Sequence, residues 1–420
     1  MRQTGALAAV LASAMLVSGC GVTPESRLAE IDPVVLDGEP FTVARDDTSS
    51  ACTHDYRAEV LSVDPIDGTV GWRQDVPWPT DPHLRLADGL ALVGGGTDVV
   101  ALDAVTGSSR WQIGDLPGNR LVQTAGGVYL TVTVGGIARL VARIEPATGK
   151  PIWSFVPDGE MGSQVVSDGV RLYLIDGGDV GALDVTTGVT VWRSPTDGAV
   201  TPPILIGGVI VQRVYPDVVA GLDPESGDIR WDVDLGSSVI ESLALSDGVV
   251  VAATGQAVVA LEPAGGAELW RLPLTDQVVT LDDHGVVVHR GATIELVDPA
   301  TGVASLVLEG SGTPGVATTG PGVLADQVDG SWRLRSLDGA WSIDLGPAHR
   351  VAPAVIADQL VVAVDRAIDD IDGEAQGALI ALDPTRGTEN WRIETRDGIG
   401  SIPMPFGDKL VVLASDRRLG

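Results

Sequence analysis

Ala101-Leu-Asp103-Ala-Val-Thr106-Gly107-Ser-Ser-Arg-Trp111 recurs as Ala381-Leu-Asp383-Pro-Thr-Arg-Gly387-Thr-Glu-Asn-Trp391, with an acidic residue eight positions before a tryptophan in both. The acidic position repeats at Asp64, Asp103, Glu145, Asp184, Asp223, Glu262, Asp298, Asp338 and Asp383, at intervals of 39, 42, 39, 39, 39, 36, 40 and 45 residues. Seven of the ten tryptophans keep the phase: Trp72, Trp111, Trp153, Trp192, Trp231, Trp270 and Trp391. Two copies are degraded. Leu306 stands where the copy at Asp298 needs Trp, and the turn at Asp338 is shortened to Leu337-Asp338-Gly339-Ala340-Trp341. A period of roughly 40 residues over the whole chain decides the architecture before any local reading.

Within each unit the apolar period is two. Leu90-Ala-Leu-Val93, Gly94-Gly-Gly96 and Val99-Val-Ala-Leu102 make one pair of strands; Val249-Val-Val-Ala-Ala253 and Ala257-Val-Val-Ala-Leu261 make another. Short β-branched runs divided by Gly-rich turns read as hairpins, and beyond the N-terminus no window carries a helical period. Each unit is therefore four strands. Repeated units of this kind close into a β-propeller, so the expected class is all-β.

The motif residues have structural work to do. The carboxylates of Asp64, Asp103, Asp184, Asp223 and Asp383 can accept N–H groups of the turn that follows. Pro65, Pro146, Pro224, Pro263, Pro299 and Pro384 fix φ at its start. Gly107, Gly188, Gly227 and Gly387 supply the positive φ of a tight turn. The tryptophans are expected to lie flat against the neighbouring blade, where truncation to Ala typically costs ~3–5 kcal/mol.

The pattern Ala-Leu-Asp-x-x-Thr-Gly-x-x-x-Trp resembles the repeat of the PQQ-binding-like, quinoprotein-type β-propellers over residues 56–416. Within that group, a lipid-anchored chain with little beside the propeller is similar to the envelope lipoproteins that assist outer-membrane protein assembly. The resemblance implies eight blades, which is the favoured count. Nine acidic turns counted literally imply nine. The apolar strand Leu410-Val-Val-Leu413 is expected to close the ring by pairing with the Asp64/Trp72 hairpin.

Met1-Arg2 begins a positive, then apolar, stretch that ends Leu16-Val17-Ser18-Gly19-Cys20. The apolar run is too short to span a bilayer, and its end resembles a lipobox. The resemblance implies a signal peptide over 1–19, lipidation of Cys20, a polar tether over 20–40 and a propeller over 41–420. It places the chain outside the cytoplasm, anchored to the membrane by lipid. The net charge of −30 argues against nucleic acid and against an anionic-lipid face as partners. With Cys20 acylated, Cys52 has no intramolecular partner.

No catalytic constellation emerges. The enzymes of the resembling group need a Ca²⁺ site of carboxylate and amide oxygens, and many use adjacent cysteines. This chain has neither adjacent cysteines nor more than two asparagines, Asn119 and Asn390. His54, His83, His284, His289 and His349 are dispersed; His284 and His289 fall on opposite faces of a strand. No cofactor, metal or catalytic residue is therefore assigned. Two segments break the repeat: Val134-Gly135-Gly136-Ile137 and the acidic stretch that includes Asp369, Asp370, Asp372 and Glu374. The acidic stretch lacks EF-hand spacing. Loops that interrupt a repeat often carry contacts, so this one is the candidate contact loop. The sequence thus points to a non-enzymatic scaffold or assembly factor that meets envelope proteins. The alternative is a sensory propeller holding a small molecule or ion, and a PQQ-dependent dehydrogenase fits least.

Overall fold

The computed structural model describes residues 57–415 apart from several short segments, the longest being 158–164, 310–317 and 366–376. Every described element is a β-strand, and every strand pairing is antiparallel. Eight sheets, here numbered 2 to 9, are runs of four consecutive strands over 83–113, 120–155, 166–194, 204–234, 240–273, 278–309, 318–346 and 350–395. Sheet 1 combines the two ends of the chain. Arg57–Val63 pairs with Val70–Pro77 on one side and with Lys409–Ser415 on the other, and Gly398–Ile399 and Met404–Phe406 lie beyond it. The protein is a β-propeller whose ring is closed by pairing of its first and last strands.

The described sheets number nine, where the family resemblance favours eight. Nine is the literal count of acidic turns, and the two degraded units bear it out by keeping all their strands: 278–309 and 318–346 each form a separate four-stranded sheet. The short turn at Asp338 also corrects the sequence reading. Asp103 lies opposite Leu90 and Asp184 opposite Arg171; in sheet 8 the residue at that register is Ser336, opposite Val323. Ser336 N–H bonds the Trp341 carbonyl as Asp103 N–H bonds that of Ser108. Asp338 instead accepts the Ala340 amide within the tighter turn.

Alternation puts the two faces of each sheet against two neighbours. In the third strand of sheet 2, Val99 and Ala101 pack towards sheet 3 while Val100 and Leu102 pack towards sheet 1. The core is accordingly nine apolar clusters, one at each junction between neighbouring sheets. The first strands of adjacent sheets touch one another, as His83–Ala87 touches Arg120–Thr124 and Ile240–Ser246 touches Val278–Asp282. They line the axis, and the fourth strands, which carry the tryptophans, face outward.

Candidate functional site

The repeated turn is the largest chemically defined feature of the surface. In the full copies it closes with two backbone bonds. At Asp103, the Gly107 N–H donates to the Asp103 carbonyl (2.8 Å) and the Asp103 N–H to the Ser108 carbonyl (2.8 Å); the same pair recurs at Asp64, Glu145, Asp184, Asp223, Glu262, Asp298 and Asp383. The acidic side chain then caps the turn. Asp184 Oδ1 accepts the N–H groups of Thr186 (3.0 Å) and Thr187 (2.8 Å), and Asp383 Oδ1 those of Thr385 (2.8 Å) and Arg386 (3.1 Å). Asp64 caps Ile66, and Asp223 caps Glu225 and Ser226.

Each such turn receives a tryptophan from the preceding sheet. The indole N–H of Trp72 donates to the Ala104 carbonyl, Trp111 to Pro146, Trp153 to Val185, Trp192 to Pro224, Trp231 to Pro263, Trp270 to Pro299 and Trp391 to Pro65, over 2.7–3.2 Å. Trp341, outside the regular phase, makes the same bond to Pro384 (3.0 Å). The ring lies over the turn glycine so closely that a Cβ on Gly107, Gly188, Gly227 or Gly387 would sit 2.5–2.6 Å from it. All four have φ between +67° and +79°. Glycine is required there twice over, by backbone conformation and by contact.

The carboxylates of the turn aspartates Asp64, Asp103, Asp184, Asp223, Asp298 and Asp383 are held below the ordinary range. For Asp103 the first cause is the Arg110 guanidinium, followed by Thr106, and the carboxyl falls to about 2. Arg230 acts first on Asp223, Thr187 on Asp184, Thr385 on Asp383, and Lys409 on Asp64, the last through a 2.6 Å bond that also ties the two chain ends together. A carboxyl depressed on folding contributes stability above its unfolded pKa of about 3.9, and that contribution is lost as pH falls through the folded value. The melting temperature should therefore stay level from pH 7 to about 5, then fall progressively towards pH 2 as the turns protonate. Asp103→Asn combined with Asp223→Asn should flatten that acid limb. Thermal unfolding recorded across this pH range checks both.

Several polar residues that the repeat does not mark also hold the turns. Tyr173, fully buried, donates to Asp168 Oδ2 (2.6 Å), and its ring lies 6.0 Å from that of Trp192. Burial, and then the Asp168 carboxylate, push its phenol well above the ordinary value. Asn119 is also buried. Its Oδ1 accepts the Gly95 N–H (2.8 Å), and its Nδ2 lies 3.0–3.2 Å from the carbonyls of Leu116, Gly96 and Asp98. That amide clamps the second turn of sheet 2 to the strand entering sheet 3. His83 accepts the Arg120 Nε–H at Nε2 (3.1 Å), bridging sheets 2 and 3. Among the described residues no group of three His, Cys, Asp or Glu side chains is placed to hold a metal ion. Cys20, Cys52, His54, Asp369, Asp370, Asp372 and Glu374 lie outside the described residues.

The strand order separates two rims. Turns between first and second strands meet the Trp-bearing turns at one rim, where the Ala104 N–H bonds the Gly89 carbonyl. Turns between second and third strands emerge at the other. The described strand ends that flank the two interruptions of the repeat reach that second rim: Val134 pairs with Ile137, and Asp365 with Gly377, across the second and third strands of sheets 3 and 9.

The comparisons agree with this architecture. A family model described as outer membrane protein assembly factor BamB matches residues 56–137, 117–215, 138–280 and 216–326, well over half of the chain. A search of curated protein sequences gives no match. Among solved structures, BamB from Moraxella catarrhalis is 18% identical, with 71% of this chain and 94% of that one covered and a TM-score of 0.47. A structure titled as the eukaryotic initiation factor is 12% identical, with 85% and 98% covered and a TM-score of 0.56. The quinohemoprotein alcohol dehydrogenase ADHIIG from Pseudomonas putida HK5 is 12% identical, with 80% and 71% covered and a TM-score of 0.46. Of these three, only the initiation-factor structure has a TM-score above 0.5, and at 12% identity it speaks for the fold alone. A repeat read from the sequence, nine sheets closed into a ring and a match spanning residues 56–326 place this chain in the BamB-like family of PQQ-type repeat propellers.

Proposed function

We propose that the protein is a lipid-anchored envelope propeller that acts as a non-enzymatic assembly factor or scaffold, binding other envelope proteins through a rim. Membership of a family described as an outer membrane protein assembly factor is the observation that carries this reading. The chemistry of the repeat supports it. The turn carboxylates are occupied by backbone N–H groups and the indole N–H groups by carbonyls of the next sheet, so these residues serve the ring. The proposed arrangement has 1–19 as signal peptide, Cys20 as the lipidated residue, 20–40 as tether and the propeller beyond it. The proposed contact face is the rim of the second-to-third-strand turns, which the strand ends flanking both interruptions reach; Asp369, Asp370, Asp372 and Glu374 fall in sequence between Asp365 and Gly377 and are the proposed contact residues.

Site-specific photo-crosslinking in intact cells tests this. A crosslinker at Thr97 or Gln256, both exposed in second-to-third-strand turns, is expected to trap the same envelope protein. One at Val105, exposed on the opposite rim, is expected not to trap it. Capture from Val105 alone would move the contact to the Trp-bearing rim. No adduct from any of the three would count against the scaffold and favour an axial small-molecule site.

A further inference from the structure

The axial strands of sheets 2 and 3 carry a positive cluster that takes no part in the repeated turns. On the first strand of sheet 2, Leu84 and Leu86 pack towards sheet 1, so His83 and Arg85 turn towards sheet 3. On the first strand of sheet 3, Leu121 packs towards sheet 2, and Gln123 shares its face. Two side-chain bonds join these strands. Arg120 Nε–H donates to His83 Nε2 (3.1 Å) at the end nearer the second rim, and the Gln123 amide donates to the Leu86 carbonyl (2.8 Å) farther along. Arg85 stands between the two bridges.

The charge of Arg85 is poorly compensated there. The side chain is partly buried. Among the described residues its guanidinium makes one hydrogen bond, from Nη1 to the Leu84 carbonyl (2.7 Å), and pairs with no carboxylate. Arg73, Arg110, Arg230 and Arg271, by contrast, each sit on an acidic side chain. Burial, and then the charge of Arg120, hold the Arg85 pKa below its ordinary value. A lysine so placed could shed its proton. A guanidinium stays charged at any physiological pH, so the cost of desolvation and of the like charge persists until an anion meets it. Its planar fork matches the paired oxygens of a phosphate or a carboxylate.

We propose that this place on the axial wall is an oxyanion-binding site, in which Arg85 grips a phosphate or carboxylate group and Arg120, held by His83, adds a second positive charge. The site rests on the placement of Arg85 and is independent of the assembly-factor reading. It gives a chain of net charge −30 one local point of attraction for anions.

Calorimetric titration of the purified full chain with inorganic phosphate and with citrate tests it. Any salt steadies a chain of this charge by screening its self-repulsion, so sodium chloride at equal ionic strength is the control. Expected is saturable binding of phosphate or citrate at one site per chain, with a rise in melting temperature beyond that in chloride. A response to phosphate alone assigns the site to phosphoryl groups, and one to citrate alone assigns it to carboxylates. Arg85→Gln should weaken binding at least about tenfold, the usual worth of a charged hydrogen bond. Arg85→Lys keeps the charge without the fork and should fall between Arg85→Gln and the native chain. Arg271→Gln, on the outer strand of sheet 6, should bind as the native chain does. In buffer free of both anions Arg85→Gln should melt no lower than the native chain, because it removes an uncompensated cation, whereas loss of a merely structural arginine would lower the transition. No saturable binding of either anion, binding unchanged in Arg85→Gln, or a lower melting temperature of that variant without anion would overturn the site.

Discussion

Trp231→Ala should lower the unfolding free energy by ~3–5 kcal/mol, the usual cost of deleting a buried aromatic. Trp231 is 9% exposed and packs with Val209, Val211, Val219, Val250 and Val259 between sheets 5 and 6. Its indole covers Gly266, and its N–H is bonded 3.0 Å from the Pro263 carbonyl. Truncation removes the apolar contact and leaves that carbonyl without its partner. Each sheet rests on two neighbours in a closed ring, so the loss should move the whole transition. The fall in melting temperature should be on the order of 5 °C or more, with Trp192→Ala behaving alike. Trp231→Phe should recover part of the loss through packing without the hydrogen bond. Calorimetry decides it: an unchanged melting temperature in both alanine variants would remove the indole contacts from the account of how the ring holds.

Gly227→Ala should be nearly as damaging for two separable reasons. Its φ is +79°, where an L side chain costs about 1–2 kcal/mol. Its Cβ would also fall 2.5 Å from the Trp192 ring, and overpacking of that kind costs about 1–3 kcal/mol. Gly248 separates the two. It has a φ of +78° but no neighbour within 4 Å of a built Cβ. Gly248→Ala should therefore show the backbone cost alone, and the excess loss in Gly227→Ala reports the contact with the indole. Equal losses would mean that Trp192 moves aside freely.

The legible parts of the fold were those in which one residue type does one job at a fixed spacing. Trp72, Trp111, Trp153, Trp192, Trp231, Trp270 and Trp391 keep a fixed distance from an acid because strand length and turn length are both fixed. Trp341 is less regular. Its turn is one residue tighter, with Gly339 three residues after Ser336 where Gly107 is four after Asp103, yet its indole reaches Pro384 and Gly387. Spacing alone could not show that, because the register depends on which residue faces Val323 in the paired strand. The nine described sheets follow the literal count of acidic turns and not the eight that the family resemblance favours. Leu306 and Ser336 degrade the motif in two units whose strands persist, since pairing needs β-branched alternation and not an indole. Asn119 and Tyr173 were invisible for another cause: each makes contacts set by tertiary approach, and neither belongs to a periodic pattern. The rim that the strand ends flanking both interruptions share follows from strand order and could be read only once the pairing was known.

The lipid anchor is the claim on which compartment and partner class both depend. The measurement is metabolic labelling with an alkyne fatty acid, followed by membrane fractionation and mass spectrometry of the mature N-terminus, for the native chain and for Cys20→Ala. The account predicts that the native chain takes up label, begins at a diacylglyceryl-modified Cys20 and sediments with membranes, while Cys20→Ala takes up none and keeps its leader. A native chain without label, or one whose mature N-terminus lies elsewhere, would contradict it.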